Sequence, residues 1–276
     1  FKYLILFYYN MRIINYNKIR FFDVTLRDGL QSMQKIYTLD EKKGLLDKIL
    51  LKYPNTKEIE IGSLVSSKIL PQMSDSLEFY KYAEKKYPEY NFYMLIPNKN
   101  KFKLAKENNI KNLSFITSVS DSFQKKNVNK TITDTNSELW KITNELDDTY
   151  KTKLYISCIN ECPIAGKIDF ENLMYKINNN LHFKIDNICL SDTCGTLTFN
   201  EFKNIMENID ETKINKLSLH LHNSKNKDII DIINYAIKKK KKYFFVSDID
   251  SVSCSVTMKP DMLTNNLSYD FFNKYS

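Results

Sequence analysis

Short runs crowded with β-branched and aromatic residues alternate along this chain with longer stretches in which apolar residues recur every three or four positions. The short runs predict strands near 20–25, 57–62, 91–96, 113–118, 153–158, 186–191, 216–221 and 243–248. The longer stretches predict helices over 40–52, 74–87, 100–108, 135–149, 168–181, 199–208 and 225–240. Two helix starts carry their own chemical marks. Thr38-Leu39-Asp40-Glu41 and Thr198-x-x-Glu201 set side-chain oxygens where the first amide hydrogens lack acceptors. Strand and helix in strict alternation, eight strands in all, is the pattern of a (β/α)8 TIM barrel, an α/β fold of roughly 250 residues. No Gly/Ser-rich or Pro-rich linker interrupts the 276 residues, so a single barrel domain is expected over 20–276. Residues 1–19 then form an extension or lead-in, with Met11 as an alternative natural start.

Composition narrows the class. Hydrophobic residues at 42%, charged residues at 27% and a mean hydropathy of -0.44 suit a globular protein outside the membrane. The apolar segment Phe1–Asn10 is far shorter than the ~20 residues of a span. The net charge of +8 accompanies a general abundance of Lys, and the run Lys238–Lys242 follows an amphipathic stretch whose carbonyl end cations complement. No nucleic-acid partner is expected. Five cysteines (Cys158, Cys162, Cys189, Cys194, Cys254) make an odd, irregularly spaced set, which predicts reduced thiols in a cytoplasmic setting. Residues 1–22 contain no acid, which keeps a mitochondrial address as the alternative.

Candidate chemistry gathers where a parallel barrel builds its sites, at the carboxyl ends of the strands. Strand one runs into Thr25-Leu26-Arg27-Asp28-Gly29, strand two carries Glu60, strand six ends at Ser191-Asp192-Thr193, and strand seven ends at His220-Leu221-His222. Residues two apart on a strand share a face, so His220 and His222 can converge on one ion; buried rim histidines are the competing reading. Asp28 comes close to them once the barrel closes, and nitrogen with oxygen ligation suits several divalent metals. Arg27 requires an anion, which a substrate or the carboxylates of Glu60 and Asp192 can supply.

Phe22-Asp23-Val24-Thr25-Leu26-Arg27-Asp28-Gly29-Leu30-Gln31 resembles the strand-one signature of the 3-hydroxy-3-methylglutaryl-CoA (HMG-CoA) lyases, within the metallolyases that include isopropylmalate and homocitrate synthases. Leu30 tilts the resemblance toward the lyases. Further matches are Glu60-Ile61-Gly62-Ser63 with Pro71-Gln72-Met73, Ser120-Asp121-Ser122-Phe123, Tyr155-Ile156-Ser157-Cys158 with Cys162-Pro163, Asp192-Thr193-x-Gly195 and His220-x-His222.

The resemblance implies retro-Claisen cleavage of an acyl-CoA, HMG-CoA giving acetyl-CoA and acetoacetate. It implies a divalent cation, Mg or Mn, on Asp28, His220, His222 and, as a fourth ligand, Asn265 from Asn265-x-x-x-x-Asp270. Arg27 would stabilise the enolate. Asp192 and Glu60 are the acid/base and positioning candidates, with pairing to Arg27 as the other role for Glu60. Gln31 and Ser120 would position substrate, and the family suggests a homodimer. The family's glycine-rich loop after strand eight has no counterpart, because Ser251–Pro260 contains no glycine. Cys254 is the candidate for its catalytic thiol, a buried inert thiol being the alternative. Two further readings stay open, a Claisen-type acyltransferase or aldolase on a 2-oxo acid and a barrel that binds without catalysis.

Overall fold

A computed structural model describes residues 18–223, 228–239, 243–249, 251–252 and 257–274. Most of the lead-in, and Cys254 with its neighbours, lie outside the described residues. In chain order the strands are β1 (Arg20–Asp23), β2 (Glu58–Ser63), β3 (Asn91–Leu95), β4 (Asn112–Ser118), β5 (Lys151–Ser157), β6 (Glu161–Cys162), β7 (Gly166–Lys167), β8 (Asn187–Ser191), β9 (Leu217–His220), β10 (His222–Asn223), β11 (Tyr243–Val246) and β12 (Asn265–Asn266). Eight of them, β1, β2, β3, β4, β5, β8, β9 and β11, form a closed parallel barrel, each beside its successor, with β11 returning to β1. This is the expected (β/α)8 architecture.

Helices α1 (Leu39–Lys52), α2 (Ser76–Lys86) and α3 (Lys99–Glu107) cover the first strands. The capping box of α1 is formed, with Glu41 N donating to Thr38 Oγ1 and Thr38 N donating back to Glu41 Oε2. A further helix that was not expected, α4 (Asp121–Val128), precedes α5 (Ile132–Thr143), which is the helix expected over 135–149 but starts earlier and ends sooner. Asn129 takes a left-handed backbone, φ 54°, that ends α4, and Thr131 caps the next start by accepting from Asp134 N. The remaining helices are α6 (Phe170–Leu181), α7 (Phe199–Glu207), α8 (Glu211–Ile214), α9 (Ile229–Lys238) and α10 (Tyr269–Lys274).

Two cores result from the strand alternation. Outward-facing residues such as Ile59, Phe92, Leu113, Leu154 and Ile188 pack under the helices. Inward-facing Phe22, Val24, Tyr93, Tyr155 and Cys189 fill the barrel. The barrel interior also holds Lys153, 2% exposed, whose Nζ donates to Asn187 Oδ1 at 2.6 Å and lies 4.2 Å from the Phe22 ring centre. Burial pushes the Lys153 ammonium down to about 8.

Candidate metal centre and active-site pocket

The chain leaves β1 through a wide helical turn, Thr25–Gly29, which brings Arg27 and Asp28 over the barrel mouth; both are buried. Arg27 Nε donates to Glu60 Oε2 at 2.5 Å and Nη1 to Asp28 Oδ1 at 2.7 Å. Tyr155 OH donates to the same Glu60 oxygen at 3.1 Å, and its ring lies 5.4 Å from the guanidinium carbon. Glu60 thus takes the pairing role with Arg27. Its carboxylate lies beneath the guanidinium and is not among the residues lining the pocket. Burial would lower the Arg27 guanidinium, but the charges of Glu60 and Asp28 more than offset it, so a buried cation is held at the pocket wall. Burial is the largest single influence on Asp28 and works against its ionised form, but Arg27, the two histidines and the Asn266 hydrogen bond together outweigh it and keep that carboxyl below its ordinary value.

Asp28 is surrounded by donors. Gln31 Nε2 reaches Oδ1 at 2.8 Å and Asn266 Nδ2 reaches Oδ2 at 2.9 Å. The asparagine that meets Asp28 is therefore not Asn265, the expected fourth ligand, but the residue after it. Asn265 is exposed, and Asn266 is buried, because β12 pairs antiparallel with β10 so that Asn266 lies opposite His222 and Asn265 opposite Asn223. Faces alternate along a strand, and only one asparagine of the pair can look inward.

His220 and His222 are both buried, with ring centres 4.7 Å apart and planes at 84°. His222 Nδ1 lies 2.7 Å from the Asp192 carbonyl oxygen. A carbonyl only accepts, so Nδ1 carries the proton and Nε2 the lone pair. Burial pushes the His220 imidazole down to about 3 and lowers His222 as well, so both rings are neutral and able to act as ligands.

Asp192 serves this arrangement through its main chain. Its carboxylate points away from the pocket and accepts from Thr196 N and Leu197 N at 3.1 and 3.2 Å, while burial raises it to about 7. The carboxylate expected as an acid/base or positioning group thus holds a turn, and the Asp192 carbonyl orients His222. Ser120 also departs from expectation. It caps α4, accepting from Phe123 N, and its hydroxyl donates to Cys162 Sγ at 3.0 Å, away from the pocket lining. Gln31 does line the pocket, where it holds Asp28. Sequence reasoning missed Asn266 and Tyr155; for Tyr155 the signal was its inward register on a strand end, two residues before Ser157.

Among the described residues no three His, Cys, Asp or Glu side chains close into a ready-made metal cage. The donor set nevertheless fits a hard or borderline divalent cation. His222 Nε2 and Asn266 Oδ1 are buried and find no hydrogen-bond partner among the described residues, and an ion beside Asp28 would satisfy both. A reversal of the Asn266 amide would exchange its donor to Asp28 for a second oxygen ligand. Across the pocket from this polar end stands an apolar wall of Val65, Ile69, Leu95, Ile116 and Phe123. The cavity therefore suits a ligand with an anionic, oxygen-rich head and a hydrocarbon body.

A carboxylate, two imidazoles and a buried arginine gathered at the strand-end pocket of a closed parallel barrel define the class of α/β-barrel enzymes. The HMGL-like family profile matches residues 18–227, and the chain belongs to that family. It is 27% identical over 209 residues to a 3-hydroxy-3-isohexenylglutaryl-CoA/hydroxymethylglutaryl-CoA lyase of Pseudomonas aeruginosa, covering 75% of this chain and 69% of that one. It is 28% identical to the mitochondrial hydroxymethylglutaryl-CoA lyase of Bos taurus, again over 75% of this chain but 63% of the relative's length. Among solved structures it superposes on the Bacillus subtilis HMG-CoA lyase with a TM-score of 0.81 at 21% identity, covering 93% of this chain and 85% of that one. A lyase of Acinetobacter baumannii in complex with coenzyme A and 3-methylmalate gives 0.80 at 23%, covering 96% and 83%. No helix among the described residues is long and apolar enough to cross a membrane.

Proposed function

We propose that the chain cleaves a 3-hydroxy-3-methylglutaryl thioester of coenzyme A to acetyl-CoA and acetoacetate with the help of Mg or Mn. The observation that carries this reading is the convergence of Asp28, His222, Asn266 and the buried Arg27 cation on one pocket. Asp28, His220, His222 and Asn266 would hold the metal. Bound there, it would act as a Lewis acid toward the tertiary hydroxyl and a neighbouring oxygen. Arg27 faces the pocket as a fixed cation, oriented by Glu60 and Tyr155, where enolate charge develops on the thioester oxygen as the carbon–carbon bond breaks. The apolar wall packs against the methyl-bearing carbon chain and keeps water from the enolate. A reducing, cytosol-like compartment agrees with the thiols of Cys158, Cys162, Cys189 and Cys194, all unbridged.

The test is product release. Purified protein supplied with Mg or Mn should form acetoacetate from HMG-CoA. Arg27→Gln should lower kcat at saturating metal by about two to three orders of magnitude while circular dichroism stays unchanged. Metal binding without product, from HMG-CoA and equally from 2-oxo acids with acetyl-CoA, would leave a binding barrel in place of an enzyme.

A further inference from the structure

We infer that Cys158 and Cys162 form a dithiol modification site, closing to a disulfide when a peroxide reaches it and reopening with a thiol reductant. Neither sulfur is among the pocket-lining groups, so the site is separate from the cleavage chemistry proposed above. It lies where β5 ends and the β6–β7 hairpin begins, a short antiparallel pair joining Glu161 to Lys167 and Cys162 to Gly166.

Cys162 Sγ sits in a nest of donors. Ser120 Oγ donates to it at 3.0 Å, and Ile164 N and Ala165 N donate at 3.3 Å each. Ser122 Oγ stands 3.9 Å away, and Cys158 packs with Cys162 and Phe123 in one small buried cluster. A neutral thiol is a weak acceptor, and such a set of donors is the environment of a thiolate. The neighbouring Cys158 thiol, with Ser120 and the two amides, pulls the Cys162 thiol down to about 5 against its burial, and the proximity of Cys162 together with burial raises Cys158. The donor nest favours the thiolate form of Cys162, with Cys158 as the thiol packed against it. Burial instead pushes Cys189 up to about 11 and Cys194 up to about 12, which marks them as inert.

The backbone holds the pair in register. Cys158 has a left-handed φ of 63°, sustained by its amide donating to Thr193 Oγ1 at 2.8 Å. The cover over Cys162 is thin. The sulfur is buried, yet the two residues whose amides reach it are exposed, Ile164 by 45%. A molecule the size of hydrogen peroxide needs only a small opening of this hairpin tip.

The chemistry closes on the atoms present. The Cys162 thiolate attacks one peroxide oxygen, the O–O bond breaks, and hydroxide leaves to be protonated to water, giving a sulfenic acid. Cys158 sulfur then attacks Cys162 sulfur. The S–O bond breaks, and hydroxide departs with the Cys158 proton as a second water. The two sulfurs are oxidised and the peroxide is reduced. Ser157 and Thr193, which flank and anchor Cys158, line the pocket, so the site adjoins its wall.

The experiment uses the reduced full chain exposed to increasing hydrogen peroxide, quenched with iodoacetamide and mapped by peptide mass spectrometry. The expected product is an intramolecular Cys158–Cys162 peptide lighter by two hydrogens, formed roughly tenfold faster than any modification of Cys189 or Cys194 and reversed by dithiothreitol. In Cys158→Ser the Cys162 sulfenic acid should instead be trapped by dimedone. In the parent protein, oxidation of Cys162 no faster than Cys189, its passage to sulfinic acid with Cys158 still alkylated, or its linkage to another cysteine would each overturn the assignment.

Discussion

A single position separates Asn265 from Asn266, and on a strand that interval exchanges the two faces. The motif spacing pointed to Asn265, whereas pairing with His222 turns Asn266 toward Asp28. Two adjacent asparagines are indistinguishable until the register of a distant strand is known, which is why this part of the site could not be read from sequence. His220 and His222 could, because their spacing is local. Asn266→Ala should weaken Mn binding by about ten- to a hundredfold in calorimetric titration, and Asn265→Ala should leave it nearly unchanged. Equal losses would return the ligand to the exposed residue. A second residue-level expectation concerns Asp23, fully buried, which accepts from Thr25 N and from Tyr269 OH. Burial raises it from 3.8 to about 6. The folded state therefore holds a proton that the unfolded state has already released between those values, so the contribution is present below pH 4 and is lost as pH rises through about 6. Urea melts of Asp23→Asn and the parent should diverge by on the order of 3 kcal/mol in the variant's favour between pH 4 and pH 7. Parallel pH profiles would show that folding does not raise the Asp23 carboxyl.

At the scale of elements, periodicity located the eight barrel strands because each is half of a two-sided core with its own apolar run. What it missed were short pieces created by partners. The β6–β7 hairpin and the β10–β12 pair are two residues per strand and have no periodicity to read. Likewise the eight-residue α4 was not expected, and Asn129 and Thr131 separate it from α5 by local turn chemistry. Gly62 in β2 shows how tightly one element sits on another. A Cβ there would lie 2.5 Å from Ser76 Oγ and 2.8 Å from Ser76 Cβ at the start of α2. Gly62→Ala should cost about 1–3 kcal/mol in chemical denaturation, since the contact involves a β-carbon fixed to the backbone. Ser76→Gly also carries a cost, because Ser76 Oγ donates to Met73 O and accepts from Ser63 N. The double variant should be more stable than the sum of the two losses by about 1 kcal/mol. Strict additivity would mean that α2 shifts freely and the contact does not constrain it.

For the whole molecule, barrel closure is what makes a site from residues far apart in the chain. β1 pairs with β11, β11 with β9, and β10 with β12, so Asp28, His222 and Asn266 meet only when the last strand returns to the first. A ligand bound across that closure stabilises the folded chain and not the unfolded one, in which the donors are dispersed. At a free Mn concentration a hundredfold above Kd, the linkage amounts to about 2.7 kcal/mol. For a domain of this size that raises Tm by roughly 5–10 °C. The comparison is made within each protein, with metal against chelator, so any intrinsic destabilisation by a substitution cancels. The parent should show the full rise and His222→Ala little or none, because the variant lacks the imidazole that the Asp192 carbonyl holds in place. A rise of equal size in His222→Ala would put the ion elsewhere on the molecule and remove the basis for reading the barrel mouth as a metal centre.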